Sequence, residues 1–534
     1  MTQYVPNNLR CIDLSEAIAK RWHWQINVGI NAELSQCYVQ CDRNNLLDLC
    51  QWLIYEMEYD FASLIVEETA ENWLLRYIFY GEPAIEQVQL YMRLNKAERV
   101  IPSISRIIHA ADWHEREARD LFGLEFEGHP RLVNMVLHEE WPEEINPLRK
   151  DFDPSKPYPH RQVDPSWRPH SFVQAPGAFM MPIGPVYSDV AESALFLLES
   201  VGEDVIRTTP RFFYKFRGVE KIAEGQSVDR VLLLAERFSG TSAFAHSLAF
   251  CQAVETICQV DVPARAKALR VVFAELERFR HHLAAIASIC NSTALAVATS
   301  QASILEEEAL RLSCSLTGHR YFFGLNLPGG VSLDLSVGQC EFLSYGVQVL
   351  FHKLQRLFNL LRYSSSFLDR LEEVGMVSKA QARSYGLVGP IARASGIARD
   401  LREVLPYAAY AEVSFEVPGE EEGDGYARLR VLFREAEQSV NILRGLLSSL
   451  PKGEAAALQV AVKPGAALGW AEAPRGATSH WVRIDEEGRV ARYHLTTPSF
   501  TNWHGFHLAA EDFAYQDFPI IMATFGLSNA ECDR

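Results

Sequence analysis

The 534-residue sequence lacks the patterns that mark several classes of protein. No two of its ten cysteines have the Cys-x-x-Cys spacing, and the pair Cys37 and Cys41 is more typical of a strand or helix core than of a metal site. We therefore expect no iron–sulfur cluster bound by this chain alone. Basic residues are outnumbered by acidic ones, 51 against 68, and the net charge of −17 argues against nucleic-acid binding.

Export signals and membrane-spanning runs are also missing from the sequence. The opening residues, MTQYVPNNLRCIDLSEAIAKR, lack the basic and then apolar segments of a signal peptide, so we expect a cytoplasmic protein with reduced thiols. One uncharged run, LAAIASICNSTALAVAT (283–299), is short of the ~20 residues that a membrane helix needs and contains Asn, Ser and Thr. We predict that it forms a buried helix.

Composition divides the chain into two domains and a linker, since its length exceeds what one core can organise. Residues 1–152 combine helical runs at 44–58 and 102–123 with three strand-like runs, which predicts a small α+β domain. Residues 153–176 are rich in proline without periodicity and predict a linker. Residues 177–534 predict a large, mainly helical domain with small β elements at both ends, so the fold class is α+β.

The stretch AERFSGTSAFAHSLAFCQAVE (235–255) joins two predicted helices. We expect Gly240 to end the first helix in the left-handed conformation and Ser242 to cap the second through its hydroxyl. These local roles account for one glycine and one serine. They do not account for the Arg, Glu and His residues around the junction.

The segment DWHEREARDLFGLEFEGHPRL (112–132) resembles the signature of the 30 kDa subunit of respiratory complex I and of the matching domain of energy-converting nickel–iron hydrogenases. A solvated charged helix would not predict the Gly-His-Pro turn that follows it. The matching positions are Asp112, Trp113, Glu115, Arg116, Glu117, Asp120, Phe122, Gly123, Phe126, Gly128, His129 and Pro130. PLRKDF (147–152) follows at the expected place. The resemblance implies a docking domain that binds no cofactor.

The second domain resembles the large subunit of the same two families. The resemblance rests on four blocks: PRFFYKFRGVEKIAEG (210–225), ELERFRHHL (275–283), LPGGV (327–331) and TPSFTNW (497–503). The fusion of both subunits in one chain is similar to the large subunit of formate hydrogenlyase-type complexes. It implies a peripheral subunit on the inner face of the membrane, beside an iron–sulfur subunit of the 20 kDa type and membrane antiporter-like subunits.

The resemblance also implies that a nickel site has been lost. In the hydrogenases four cysteines bind nickel, and the matching positions here are Ser239, Ser242, Ser528 and Glu531, while Cys532 is one residue too far along. Hydroxyls and one carboxylate do not replace four thiolates, so we expect no metal in this chain and no nickel hydrogenase activity. The sequence also ends at Arg534 without the extension that hydrogenases remove after nickel insertion, which agrees with this expectation.

Quinone chemistry of the complex I type is the alternative. The family's quinone-site His, Tyr and Asp correspond here to Tyr187, Phe250 and Ser292. Phenylalanine cannot donate a hydrogen bond to a quinone carbonyl and serine cannot carry a charge. These differences weaken the quinone hypothesis, although Tyr187 has a hydroxyl that can donate in place of the histidine. We expect quinone, if any cofactor, and an iron–sulfur cluster only in a partner subunit.

At three other positions, the residue in this sequence matches the one that the hydrogenases have. Glu192 matches their proton-relay glutamate, Arg475 matches an arginine that overhangs the metal site, and His246 is also kept. We predict that these residues form a proton or substrate site, with a structural Arg475–Glu192 ion pair as the alternative.

Three functions remain open for this chain. In the first, it passes electrons from an iron–sulfur subunit to quinone or another acceptor. In the second, it is a non-catalytic coupling or scaffold subunit of an ion- or solute-translocating assembly, and in the third it is a hydrogenase with unusual ligands. In the first case it is an oxidoreductase subunit that is inactive alone.

Overall fold

The computed structural model describes residues 14, 16–18, 20–22, 28–31, 36–81, 87–159, 161–162, 169–187, 192–457 and 460–534. It has two compact units, one of Met1–His170 with Arg383–Gly386 and one of Ser171–Ala382 with Leu387–Arg534. The division falls inside the segment 153–176 that the sequence predicts as a linker. The mixture of helices and sheets confirms the α+β class.

The N-terminal unit is built on a mixed five-stranded sheet. Its elements are β1 (Val28–Asn31), β2 (Gln36–Cys41), α1 (Leu46–Gln51) with a π-helical turn (Trp52–Glu56), β3 (Asp60–Glu68), β4 (Asn72–Tyr80), β5 (Gln87–Asn95), β6 (Val100–Pro102), α2 (Ala111–Phe122) and β7 (Glu125–Glu127). The sheet order is β1-β2-β5-β4-β3, and only the β2–β5 pair is parallel. Strand β4 is buried almost throughout, as its near-continuous apolar sequence requires.

Helix α2 covers this sheet but is shorter than the predicted helix 102–123. Phe122 packs edge-on against Trp73, with ring centroids 6.3 Å apart. The residues before Ala111 form turns because the Ile104 amide donates to the Glu115 carboxylate, at 2.7 Å, instead of to a helical carbonyl. Gly123 ends the helix with φ 74°.

The large unit is mainly helical. Its helices are α3 (Val219–Ala223), α4 (Val228–Arg237), α5 (Ala243–Cys258), α6 (Ala264–Ser292), α7 (Ala296–Thr317), α8 (Val337–Leu361), α9 (Ser365–Leu368), α10 (Lys379–Ser384), α11 (Gly389–Ala394), α12 (Leu401–Val404), α13 (Gly425–Ser448), α14 (Pro498–Ala509) and α15 (Phe518–Phe525), with 3₁₀ turns at Gly240–Ser242, Tyr410–Glu412 and Tyr515–Asp517. Helix α6 is the central helix, since α7, α13 and α15 all pack against it.

Two small sheets and one two-stranded ladder complete the large unit. Its strands are β8 (Ala178–Ile183), β9 (Leu195–Val201), β10 (Asp204–Arg211), β11 (Asn326–Leu327), β12 (Gly330–Val331), β13 (Gly465–Ala473), β14 (Gly476–Ile484), β15 (Val490–Thr496) and β16 (Phe513–Ala514). One sheet has the order β16-β10-β9-β8 and the other is the meander β13-β14-β15. Strands β9, β10 and β13 were not predicted from the sequence. Strand β13 packs directly on α5, because a Cβ at Gly469 would lie 2.0 Å from the carbonyl oxygen of Ala249.

Local predictions at the helix junctions are partly wrong. Helix α4 ends at Arg237 and Gly240 lies in the 3₁₀ turn, so Gly240 is not a left-handed cap. The Ser242 hydroxyl caps nothing; the first amides of α5, from Phe244 and Ala245, donate to the Glu277 carboxylate at 2.8 and 3.0 Å.

The run 283–299 is divided between α6 and α7 and is not a single helix. Within the part of the chain that the structure describes, none of the helices combines the length and hydropathy needed to cross a membrane.

Candidate functional site

The four positions that the sequence aligns with nickel ligands of the hydrogenases come from two distant segments of the large unit. Ser239 precedes the 3₁₀ turn between α4 and α5, Ser242 is the last residue of that turn, and Ser528 and Glu531 follow α15. The Ser239 hydroxyl donates to Oε1 of Glu531 at 3.0 Å. The turn and the C-terminal segment are therefore joined directly by residues at two of these positions.

Glu531 is the centre of this network and its side chain is completely buried. Its second carboxylate oxygen accepts hydrogen bonds from the hydroxyl and the amide of Ser499, the amide at 3.3 Å. Burial raises the pKa of Glu531, but the positive charge of Arg475, followed by His246 and the Ser499 hydroxyl, outweighs that effect and holds the pKa at about 2. Glu531 is thus a carboxylate at neutral pH.

Arg475 supplies the charge that balances Glu531. It lies in the two-residue turn between β13 and β14, and this turn packs closely on Gly389, where a Cβ would lie 2.1 Å from the Arg475 carbonyl oxygen. One guanidinium nitrogen lies 3.3 Å from Oε1 of Glu531 and donates to the Thr241 hydroxyl at 2.9 Å and the Ser242 hydroxyl at 3.3 Å. The guanidinium is therefore in contact with two of the four positions, Ser242 and Glu531.

Glu192 does not pair with Arg475, which corrects the ion pair proposed as an alternative. Its carboxylate accepts from the Ser528 hydroxyl at 3.0 Å and from the amides of Asn529 and Ala530, and the residue is exposed. Within the described residues, the ion pair of Arg475 is with Glu531, because the C-terminal segment lies between the two residues predicted to pair. Glu192 thus anchors that segment.

His246 lies on the buried side of Glu531. Its Nε2 is 3.9 Å from Oε1 of Glu531, and its Nδ1 is 3.1 Å from both Nε2 of His480 and the hydroxyl of Thr478. The structure therefore brings His246, Arg475 and Glu531 together, whereas Glu192 reaches them only through the C-terminal segment.

His480 and Tyr493 also belong to this site, although the sequence did not predict them as site residues. Nδ1 of His480 is 2.7 Å from the Tyr493 hydroxyl, and both side chains are fully buried. The signal that could have found His480 is the alternation of β14: Thr478 and His480 are two residues apart, so both lie on the face that contacts α5 and His246.

The ELERFRHHL block belongs to a separate, internally neutralised set of buried charges. The Glu275 carboxylate accepts from Arg402 at 2.9 Å, and Nε2 of His282 lies 2.8 Å from the Glu435 carboxylate. Arg393 joins Glu435, at 2.6 Å, to Glu472 on β13, at 2.9 Å. These ion pairs fix β13, and hence the Arg475 turn, to the helices.

The comparisons with known proteins agree with this architecture. Residues 39–158 match the family model of the respiratory-chain NADH dehydrogenase 30 Kd subunit, and residues 299–464 and 455–534 match that of the 49 Kd subunit. Formate hydrogenlyase subunit 5 of Escherichia coli (strain K12) is 32% identical over 452 residues, which cover 84% of this chain and 79% of the relative.

This chain belongs to the family of fused complex I 30 Kd and 49 Kd subunits. Hydrogenase-4 component G of Escherichia coli (strain K12) is 29% identical over 497 residues, covering 92% of this chain and 87% of the relative. The C/D subunit of the NADH-quinone oxidoreductase of Acinetobacter baumannii (strain AYE) is 27% identical over 509 residues, covering 86% and 84%. The resemblance identified from the motifs is confirmed.

The residues at the four ligand positions of this family member do not fit a nickel site. The hydroxyls of Ser239 and Ser528 donate to carboxylates, that of Ser242 accepts from Arg475, and Glu531 already has a guanidinium as its counter-ion. Across the described ranges, no group of three or more His, Cys, Asp or Glu side chains is arranged to hold a metal ion.

The three positions that match the complex I quinone site have structural contacts. The Tyr187 hydroxyl donates to the Ala194 carbonyl at 2.9 Å, and Phe250 is fully buried edge-on against Tyr493 with ring centroids 5.8 Å apart. The Ser292 hydroxyl donates to the Ile289 carbonyl at the end of α6. The donor that Tyr187 would offer to a quinone is thus used within the chain.

Proposed function

We propose that this chain is a subunit of a membrane-associated redox complex and that it couples electron transfer to ion translocation without binding nickel. The Arg475–Glu531 ion pair carries the proposal, because it places a buried carboxylate with its own counter-ion at a position that the sequence aligns with a nickel ligand of the hydrogenases. Support for a complex comes from the relatives, whose names describe a hydrogenlyase subunit, a hydrogenase component and a quinone oxidoreductase subunit.

The proposal includes partners and a location. An iron–sulfur subunit of the 20 kDa type would lie beside the large unit and provide the electrons. Antiporter-like membrane subunits would move the ions, with this chain peripheral on the cytoplasmic face of the membrane. Quinone is the first electron acceptor to test, and the candidate proton site comprises Glu192, Arg475, His246 and Glu531.

Composition of the intact complex tests the first part of this proposal. We expect the complex, purified from membranes through an affinity tag on this chain, to contain iron and acid-labile sulfide from a partner, but no stoichiometric nickel. About one nickel per chain that persists after washing would refute the absence of nickel, and a tagged chain recovered without an iron–sulfur partner would refute the assembly.

Coupling is tested by the Arg475→Gln/Glu531→Gln double variant in the same complex. We expect the double variant to assemble, since both members of the ion pair are neutralised together, but to lose most proton or sodium uptake per electron in vesicles. Reduced methyl viologen would serve as donor and a short-chain quinone as acceptor. Full coupled turnover in the variant would favour the scaffold function, and uncoupled or absent turnover in the unmodified complex would refute the proposal.

A further inference from the structure

A line of buried titratable side chains leads inward from Glu531. Oε1 of Glu531 faces Nε2 of His246 across 3.9 Å, Nδ1 of His246 faces Nε2 of His480 across 3.1 Å, and Nδ1 of His480 faces the Tyr493 hydroxyl across 2.7 Å. In each imidazole ring, one nitrogen therefore faces the preceding group of the line and the other nitrogen faces the following group. All four side chains are fully buried.

The two rings cannot choose their tautomers independently. Only one proton fits between Nδ1 of His246 and Nε2 of His480, because two N–H groups would repel and two bare nitrogens would leave no hydrogen bond. If His246 carries its proton on Nε2, then His480 must also carry its proton on Nε2 and accept from Tyr493. If His246 carries its proton on Nδ1, His480 must carry its proton on Nδ1 and donate to Tyr493.

Two neighbouring groups favour opposite tautomers of His246. The Thr478 hydroxyl donates to the Thr496 carbonyl at 2.9 Å and therefore favours a proton on Nδ1 of His246. The Glu531 carboxylate favours a proton on Nε2, which has no hydrogen-bond partner among the described residues. Because the carboxylate carries a full charge, we expect the Nε2 proton to predominate at rest.

We infer that Glu531, His246, His480 and Tyr493 form one hydrogen-bond chain in which the charge of residue 531 sets the tautomer of both imidazole rings. The ionised Glu531 selects the Nε2 proton of His246, and the shared hydrogen bond then selects the Nε2 proton of His480. Without a charge at residue 531, the Thr478 hydroxyl selects the Nδ1 proton of His246, and His480 then carries its proton on Nδ1 and donates to Tyr493. The chain thus relays the charge of Glu531 to a ring that does not contact it.

The surrounding groups keep the chain in this charge state. Burial, followed by the neighbouring His246 and His494, lowers the pKa of His480 well below its ordinary value, and the Glu220 carboxylate only partly opposes this. At the other end, Arg475 contributes most to holding the pKa of Glu531 at about 2 against the effect of burial. Burial also raises the pKa of Tyr493. At neutral pH Glu531 is therefore ionised, and His480 and Tyr493 are neutral.

This chain would serve the proposed coupling function, but it can be tested without turnover. The probe is nitrogen NMR of the full-length protein with isotope-labelled histidine rings, with signals assigned by their loss in His246→Gln and His480→Gln. We expect protonated Nε2 in both rings of the unmodified protein. In Glu531→Gln the charge that favours the Nε2 proton of His246 is lost while the Thr478 hydroxyl still accepts from Nδ1, so both rings should change to protonated Nδ1, although His480 does not contact residue 531.

Controls separate this effect from a general disturbance. Ser239→Ala removes a hydrogen bond from the same carboxylate but leaves its charge, so it should leave both tautomers unchanged. His282, whose Nε2 is held by Glu435, should keep its tautomer in every variant. If Glu531→Gln does not fold, Arg475→Gln/Glu531→Gln removes the same carboxylate charge without leaving Arg475 unpaired and should give the same reversal.

An unchanged His480 signal in a folded Glu531→Gln or double variant would overturn the inference, and so would reversal in Ser239→Ala. A reversal of both rings would support it even if the assembled complex had no coupled turnover, and that second result would count only against the proposed function.

Discussion

Two buried glutamates, Glu531 in the large unit and Glu115 in the N-terminal unit, have similar hydrogen-bond partners and opposite pKa shifts. Each accepts from two serine hydroxyls and one backbone amide, which belong to Ser103, Ser105 and Ile104 for Glu115 and to Ser239 and Ser499 for Glu531. Nevertheless, burial raises the pKa of Glu115 to about 7, whereas that of Glu531 is about 2.

The difference lies in the cation beside each carboxylate. Glu531 has the guanidinium of Arg475 at 3.3 Å, which is charged at all relevant pH values. Glu115 has the imidazole of His129 at 3.8 Å, whose charge depends on pH. The comparison teaches that hydroxyl and amide donors do not offset the burial of Glu115, whereas the same kinds of donor together with a guanidinium do so for Glu531.

The largest effect is expected from removing the charge of Arg475, because Glu531 then lacks the guanidinium that distinguishes it from Glu115. Arg475→Gln should lower the free energy of unfolding of the large unit by about 3–5 kcal/mol at pH 7, because Glu531 becomes an unpaired buried charge. Urea unfolding of the full-length chain measures the loss. The surface variant Arg311→Gln, from an exposed ion pair with Glu307, should cost under about 1 kcal/mol.

A second substitution, at Glu531, should restore stability to Arg475→Gln. Arg475→Gln/Glu531→Gln should recover most of the stability lost in Arg475→Gln, since neither residue then carries a charge. A double variant as unstable as the single one would mean that the packing of Arg475, not its charge, is what matters.

The next effect is the pH dependence of the N-terminal unit. The folded pKa of Glu115, about 7, is above its ordinary value of 4.5, so between these values the folded state binds a proton that the unfolded state has released. Stability from this group is therefore greatest below pH 4.5 and decreases by about 3 kcal/mol as the pH rises through 7. Hydrogen exchange of segment 103–122 should show faster opening at higher pH.

Glu115→Gln is the matched variant for this dependence, because the amide keeps the size but does not titrate. Its opening free energy should vary less with pH than that of the unmodified protein. His129 and Asp112 face Glu115, so a dependence that survives in Glu115→Gln would assign the titration to them.

The smallest effects are expected from removing one serine hydroxyl beside each glutamate, and their pH dependence should differ between the two sites. Ser239→Ala should cost about 1–2 kcal/mol equally at pH 5 and pH 8, because Glu531 is ionised at both. Ser103→Ala should cost more at pH 8 than at pH 5, because Glu115 becomes ionised between them. Equal pH responses of the two variants in urea unfolding would contradict the assigned pKa difference.

The sequence by itself determined the family and the fold class. These features are local: the motif 112–132 and the strand-like runs before it can be recognised within short segments. Strands β3, β4 and β5 were predictable because their sequences are β-rich runs with partial alternation, separated by short polar breaks.

Only the tertiary structure decided which charges meet. Arg475 pairs with Glu531 and not Glu192, and the amides at the start of α5 are satisfied by Glu277 and not by the adjacent Ser242. These partners are tens to hundreds of residues apart in sequence, so their distances depend on how α15 and the β13–β14 turn pack. The pKa values follow from those distances and from burial, which short segments of sequence do not contain.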